Sequence, residues 1–308
     1  MSDAENYAIL DIYEVLNEAI MSSTPAVIVE GINDIKIYNS IAKSINRCVE
    51  VYAVEAIKGY SAGCGHVINA VKALYASAES VLVEDFVIGI IDRDTREFRG
   101  ELPVEKAFLV LNYYSVESHF VDPEIVRKSI STYTLAGDDA VSEEMIDALF
   151  SKIEQKLYDL YYFSLESLRF ALDGNYNSDY RYSFANNRRK QDPAMSNVRA
   201  KIHELDSFAA SLNIRCSLSD LKKISTGKWL LGAFSEEIYI LLTNFKIYCG
   251  KFGAKKCQYC KREILDTCTY KIKEGISNKT IYSLAFEHTG LTSLDYVRDR
   301  FSSVSAVQ

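Results

Sequence analysis

Long hydrophobic runs are missing from this chain of 308 residues. No stretch approaches the roughly 20 apolar residues that a membrane helix needs, so no spanning segment is expected. Four prolines and fourteen glycines leave little material for linkers or disordered tracts. A basic excess is also lacking. The net charge is −7, so any nucleic-acid contact must come from a local basic patch. The chain has no GxxxxGK[ST] run, which excludes a P-loop nucleotide site. The glycine-rich loop Lys58–His66 fits no Walker spacing and reads either as a phosphate cradle before a helix or as a plain backbone turn. Histidines number four, scattered at His66, His119, His203 and His288. Only His119, close to Glu117, invites attention, with a structural histidine as the alternative. Seven cysteines form no evident disulfide framework, and a reduced, cytoplasmic compartment is expected. The N-terminal Met-Ser-Asp-Ala-Glu-Asn is acidic and unlike a signal peptide.

What is present is an ordinary globular composition, 48% hydrophobic and 25% charged, with a length that suggests roughly two domains. Apolar residues at three- and four-residue spacing predict a helix over 5–21. Ala26–Val29 reads as a strand, followed by a helix capped by Asn33 or Asp34. Further strands are expected at Glu50–Val54, 86–91 and Phe108–Leu111, with a helix after His66. Strands alternating with helices imply an α/β fold with a parallel sheet flanked by helices. After about residue 135 the pattern turns helical, with helices over 142–172, 194–212, 229–249 and 278–288. The expected division is therefore an α/β domain over 1–135 and a mostly α-helical lobe over 136–308. A single continuous domain with a helical half is the alternative.

Two of the strands end abruptly in acid: Pro25-Ala-Val-Ile-Val-Glu30-Gly-Ile-Asn-Asp34 and Val87-Ile-Gly-Ile-Ile-Asp92-Arg-Asp94. Open α/β sheets bind ligands at the carboxyl ends of their strands. Glu30, Asp34, Asp92 and Asp94 brought together need a counter-charge, and hard oxygen donors suit Mg²⁺ or Mn²⁺. In an extended segment Asp92 and Asp94 face the same way, while Gly31 frees space at a sharp strand-to-helix turn. The alternative is that these acids only cap strand ends and the following helices.

The order Glu30-Gly31-x-x-Asp34, then Asp92-x-Asp94 after a later strand, resembles the toprim domain of topoisomerases, primases and overcoming-lysogenization-defect (OLD) nucleases. Ser115-Val-Glu117-Ser and Gly227-Lys228-Trp-Leu-Leu narrow the likeness to the DUF4435 family, which includes the toprim effectors (AriB-type) of PARIS anti-phage systems. The resemblance implies a toprim-like sheet and a Mg²⁺- or Mn²⁺-dependent nuclease. Glu30 would be a metal ligand or general acid/base, Asp92 and Asp94 metal ligands, and Asp34 a second-metal or outer-shell acid. Glu117 would be a further acid or only a partner for a helix dipole. Lys228 would offset charge on the scissile phosphate, or else be a solvent-facing lysine. The implied function is a toxic defence effector that cleaves host RNA, with tRNA as the expected class. A separately encoded ABC/AAA-type (AriA-like) ATPase would hold it inactive, and the released form would be a homodimer. Ile9, Ile12, Tyr13 and Leu16, or the helix 142–172, are candidate contact faces, with core packing as the alternative. The competing functions are an OLD-like DNA nuclease and a catalytically silent toprim binding subunit.

Two further features stand apart from that likeness. Tyr176, Tyr180, Tyr182 and Phe184 lie beside Arg181, Arg188, Arg189 and Lys190 in a segment without hydrophobic period. Rings that stack on bases and cations that hold phosphates suit unpaired nucleic acid, whereas a solvated interhelical loop is the alternative. Cys249, Cys257, Cys260 and Cys268 give C-x7-C-x2-C-x7-C, either a tetrahedral Zn²⁺ site or ordinary core cysteines.

Overall fold

Ala-Val-Ile-Val forms strand β1 (Ala26–Val29), and all four side chains are buried. In the computed structural model, which describes residues 10–137, 140–184 and 193–304, β1 lies inside a four-stranded parallel sheet. The other strands are β2 (Glu50–Ala53), β3 (Val87–Ile91) and β4 (Phe108–Val110), in the order β2-β1-β3-β4. Ile28 pairs with Tyr52 on one side and Gly89 on the other. Unbroken apolar runs are what a parallel strand covered on both faces requires.

Alternation along the strands sends Ile28, Val87 and Ile91 into one cluster. Helices α1 (Ile12–Ser22), α3 (Cys64–Ser77) and α4 (Ser80–Phe86) complete it with Val15, Leu16, Val71, Leu74 and Val83. Helix α2 (Ile32–Ser44) packs on β2 and is braced by the C-terminal helix Asp295–Ser303, where the Tyr38 and Phe301 rings meet at 6.4 Å. Ile12 and Leu16 therefore serve the core, although Tyr13 remains exposed. Ile9 lies outside the described residues.

Chain contacts group into two compact units. The first comprises 1–93, 101–111 and 292–308, and the second 94–100 and 112–291. The expected cut at 135/136 differs from this, since the helix Asp295–Ser303 belongs with the sheet and residues from 112 onward with the helices. Such a return of the chain is invisible to a linear reading of periodicity.

The second unit is built around the helix Gly227–Thr243, which buries Trp229, Leu230, Leu231, Phe234 and Ile238. It packs against the helices Glu143–Leu157 and Asn278–Ala285. The helix expected over 142–172 is broken by a 3-10 turn at Tyr158–Leu160 before resuming as Tyr161–Leu172. Among the described residues of this unit, strand-like pairing is confined to one bridge, Thr134 with Ile272.

The aromatic segment after residue 173 turns inward. Tyr180 is fully buried against Phe163, Phe184 and Trp229, and Trp229 donates its indole N–H to the Phe184 carbonyl at 3.1 Å. The Tyr182 hydroxyl donates to the Ile224 carbonyl at 2.6 Å. These rings are occupied by packing, which corrects the expectation that they present faces to bases. Arg181 is exposed and stacks over Phe170, while Arg188, Arg189 and Lys190 lie outside the described residues.

Glu166, with no exposed surface, anchors the start of that segment. Its carboxylate accepts from the Tyr176 hydroxyl at 2.7 Å and the Asp179 backbone N–H at 2.9 Å, and pairs with Lys201 at 3.0 Å. Asp179 completes the set, 2.6 Å from Lys201. A buried charge must be answered from several sides, and removing one partner strands the others. Glu166→Ala is expected to lower stability by about 3–5 kcal/mol in urea unfolding. Glu166→Gln, which keeps the shape and an acceptor, should cost clearly less. Equal and negligible costs would show that the network is dispensable.

Candidate active site

From β1 the chain crosses to β2 on one side, and after α3 and α4 it re-enters as β3 on the other. The carboxyl ends of β1 and β3 thus flank the point where strand order reverses, the position at which open α/β sheets bind ligands. Glu30 follows β1 and Asp92 follows β3. The two meet: the Glu30 carboxylate accepts the Asp92 backbone N–H at 3.2 Å. Both side chains are half-buried, as is Asp34 in the first turn of α2.

Tyr38, one turn further along α2 and only 2% exposed, reports the local field. Burial raises its phenol well above the ordinary tyrosine range, and the charges of Asp34, Asp92, Tyr296 and Glu30 raise it further. Three of the expected acids therefore act on one buried hydroxyl. Tyr38 otherwise belongs to the buried face of α2, with Ile37, Ile41 and Ala42.

The cap of α2 differs from expectation. Gly31, not Asn33 or Asp34, precedes the helix, with extended backbone (φ −165°) that any residue adopts. The Ile32 N–H is accepted by Glu55 at 3.0 Å, just beyond β2. A methyl group at Gly31 would only touch Glu55 at 3.7 Å, so the sharp turn from β1 into α2 is present but does not require glycine. The loop before α3 is a backbone turn: Gly59 and Gly63 adopt φ of 90° and 117°, and Gly63 donates its N–H to the Glu30 carbonyl at 2.9 Å.

Asp94 belongs to the second unit and departs from the extended geometry expected of it. Its φ is +37°, a left-handed conformation that aspartate adopts more readily than most residues. The carboxylate accepts the Arg96 backbone N–H at 2.8 Å and pairs with its guanidinium at 3.4 Å. Burial raises its pKa, and the Arg96 contacts oppose that rise. The simple alternation that put Asp92 and Asp94 on one face does not hold.

Glu117 and Lys228 meet different surroundings within the second unit. Glu117 lies on a 3-10 turn, Val116–Phe120, and accepts the Ser115 hydroxyl at 2.5 Å. A β-carbon built on Gly227 would fall 2.1 Å from the Ser115 hydroxyl and 2.9 Å from a Glu117 carboxylate oxygen. Glycine is therefore needed for this approach, which puts a carboxylate against the positive end of the helix Gly227–Thr243. The helix end that Glu117 meets is thus that of a segment remote in sequence, not the helix start expected at Glu117 itself. Lys228 is exposed in the first turn of that helix, where a cation is disfavoured by the dipole. Helix stability gives no reason for a lysine at this position.

His119 has a buried basic neighbour, Lys222, that no sequence motif marks. Lys222, 7% exposed, places its ammonium 4.9 Å over the Tyr113 ring, while His119, fully buried, packs on Tyr113 at 4.7 Å. Burial lowers Lys222 to about 8, with Asp122 and Glu154 opposing. Burial, then the Lys222 charge, lowers His119 to about 4. His119 is thus a neutral core histidine whose Nδ1 faces the Val116 carbonyl at 3.3 Å. Its pKa lies below that of the unfolded chain, so the unfolded state binds more protons between the two values. The stability it contributes is complete above about pH 6.5 and is lost as pH falls toward 4. Urea midpoints should drop from pH 7 to pH 5 by more in the wild type than in His119→Asn. The difference should be up to about 1.4 kcal/mol per pH unit. Parallel profiles would remove His119 as the cause.

One set of three or more Cys, His, Asp or Glu side chains among the described residues gathers its ligand atoms closely enough to hold a metal ion. It is Cys249, Cys257, Cys260 and Cys268, not the acids. No helix among the described residues is long and apolar enough to cross a membrane. No protein-family model and no curated protein matches the chain.

Proposed function

We propose that the chain is a metal-dependent nuclease of the toprim type, whose working acids in the first unit are Glu30, Asp34 and Asp92. The observation that carries this reading is the contact of Glu30 with the Asp92 backbone at the point where strand order reverses. Half-buried acids placed there suit a positive ligand. The donors are all hard oxygens, which fits Mg²⁺ or Mn²⁺. Mg²⁺ in particular needs only one or two carboxylates beside water and substrate phosphate. Asp92 and Asp34 would hold the ion, with Glu30 adjoining. When bound, such an ion activates water and neutralises charge on a phosphodiester.

The residues themselves do the rest. Glu30, which accepts the Asp92 N–H, would hold or release a proton. Tyr38 keeps its proton at neutral pH and so adds no further negative charge near the acids. The likeness of the motifs to DUF4435 toprim effectors supports RNA, with tRNA as the expected class, as the substrate. It likewise supports control by a separately encoded ATPase and action as a homodimer.

Purified chain with Mn²⁺ or Mg²⁺ is expected to cleave tRNA in preference to single- or double-stranded DNA. Glu30→Gln should keep the fold and lower cleavage by about 10²–10⁴-fold, the range of a general acid–base group. Asp92→Asn should additionally raise the Mn²⁺ concentration needed for half-maximal rate. Cleavage of DNA but not RNA would favour the OLD-like alternative. Metal binding without cleavage of any nucleic acid would favour a silent binding module. Full activity of Glu30→Gln would end the proposed mechanism.

A further inference from the structure

Outside the acidic site, the densest gathering of chemistry is the four cysteines of the second unit. Cys249 ends the 3-10 turn Phe245–Tyr248, Cys257 caps the short helix Gln258–Lys261, Cys260 lies within it, and Cys268 follows the turn Leu265–Thr267. Residues eight, eleven and nineteen positions beyond Cys249 thereby return to it, and all four sulfurs lie within 4.8 Å of one another. None is joined in a disulfide. Four thiolates at about 2.3 Å from a tetrahedral Zn²⁺ stand about 3.8 Å apart, so only a small contraction separates this cluster from a metal site.

The surroundings are built for thiolates. The Cys257 backbone N–H points to the Cys249 sulfur at 3.3 Å, and the Cys260 N–H points to the Cys257 sulfur at 3.4 Å. Such amide contacts orient and stabilise a metal-bound sulfur. Gly250, at φ 76°, lets the chain fold back, and a β-carbon there would lie 2.8 Å from Lys256. The Tyr270 hydroxyl ties the loop down through the Ala140 and Lys255 carbonyls at 2.9 and 2.8 Å. Cys260 and Cys268 are buried, at 8% and 4% exposure. A hydrophobic role for the group would not need four sulfurs converging on one point.

We propose that Cys249, Cys257, Cys260 and Cys268 hold one structural Zn²⁺. Four protein ligands close the coordination sphere, so this ion takes no part in hydrolysis. Soft sulfur donors select it against the Mg²⁺ or Mn²⁺ proposed for the acids, which lets two metals coexist in one chain. The full-length protein, purified under reducing conditions, should contain one zinc per chain by elemental analysis. Apoprotein titrated with Co²⁺ should develop the visible bands of tetrahedral cobalt–thiolate coordination. Cys257→Ser with Cys260→Ser should lose both signals, whereas Cys48→Ser with Cys216→Ser, both exposed and outside the cluster, should keep them. Substoichiometric zinc in the wild type together with a colourless Co²⁺ titration overturns the site. So does iron in place of zinc, or zinc retained without Cys257 and Cys260.

A separate observation, charge, gives the same module a use. Between 246 and 273 the chain carries eight Lys and Arg against two acids, in a protein of net charge −7. A four-thiolate zinc centre adds −2 and still leaves a net +4. Lys255, Lys256, Lys261 and Arg262 are all exposed, beside Phe252 at 72% exposure. Concentrated cations with an accessible ring are what a single-stranded polyanion requires. We infer that this exposed basic stretch contacts single-stranded nucleic acid; as the substrate surface of a nuclease, it rests on the function proposed above. The test is anisotropy of a fluorescent poly(U) RNA with the Asp92→Asn chain. Replacing Lys255, Lys256, Lys261 and Arg262 with Ala should weaken binding. The log–log salt slope should become shallower by about 0.7 for each phosphate contact removed. Unchanged affinity and slope overturn this surface, and so does an absence of RNA binding by the parent chain. Tight, salt-dependent binding by a wild-type chain that cleaves nothing would uphold the surface while rejecting the nuclease.

Discussion

The pairing of β1 with β3 is the constraint on which the first unit depends. Both strands are wholly apolar and wholly buried, so neither has a polar side chain until it leaves the sheet. Their exits are adjacent because Ala26–Ile28 pairs in parallel with Val87–Gly89. Glu30 and Asp92 are therefore brought together by strand register rather than by any affinity for each other. The Asp92 N–H donated to Glu30 links the two exits, and burial together with the nearby acids raises the Tyr38 phenol.

In the second unit the buried carboxylates are met by specific partners. Glu166 is answered by Tyr176, Asp179 and Lys201, and Glu117 by Ser115 and the start of the helix Gly227–Thr243. Lys222 and His119 face the Tyr113 ring from separate contacts, and burial lowers the pKa of both, enough to keep His119 neutral. Where hydrogen-bonding partners are few, burial favours the neutral form. The proposed zinc module extends the same logic to sulfur, with an ion supplying the charge that four thiolates need.

Much of this was legible in the residues. The four strands, their parallel order and the alternation with helices follow from short apolar runs separated by amphipathic stretches, and the boundaries of β1 agree to the residue. Glu30 and Asp92 were readable because a strand that ends in acid announces its carboxyl edge. The cysteine spacing was visible too, although spacing alone could not separate a metal site from core cysteines. Less legible were the caps and the inward rings. Asn33 and Asp34 look like caps for α2, but Glu55 from beyond β2 takes the amide instead. Tyr180 and Tyr182 look like a stacking surface because nothing local shows that Trp229 and Phe163 will enclose them.

Residue order by itself determined the periodicities, and periodicity determines which faces must be buried and hence the α/β class. It also set the net charge and its local reversal around 246–273. Tertiary structure alone decided which carboxylates share a field, that Asp94 turns into a left-handed bend toward Arg96, and that the last helix returns to brace α2. It decided as well that sulfurs up to nineteen positions apart converge. The reason is physical: periodicity is a property of neighbours along the chain. Fields, caps and ligand sets depend on distances between residues that only packing brings together.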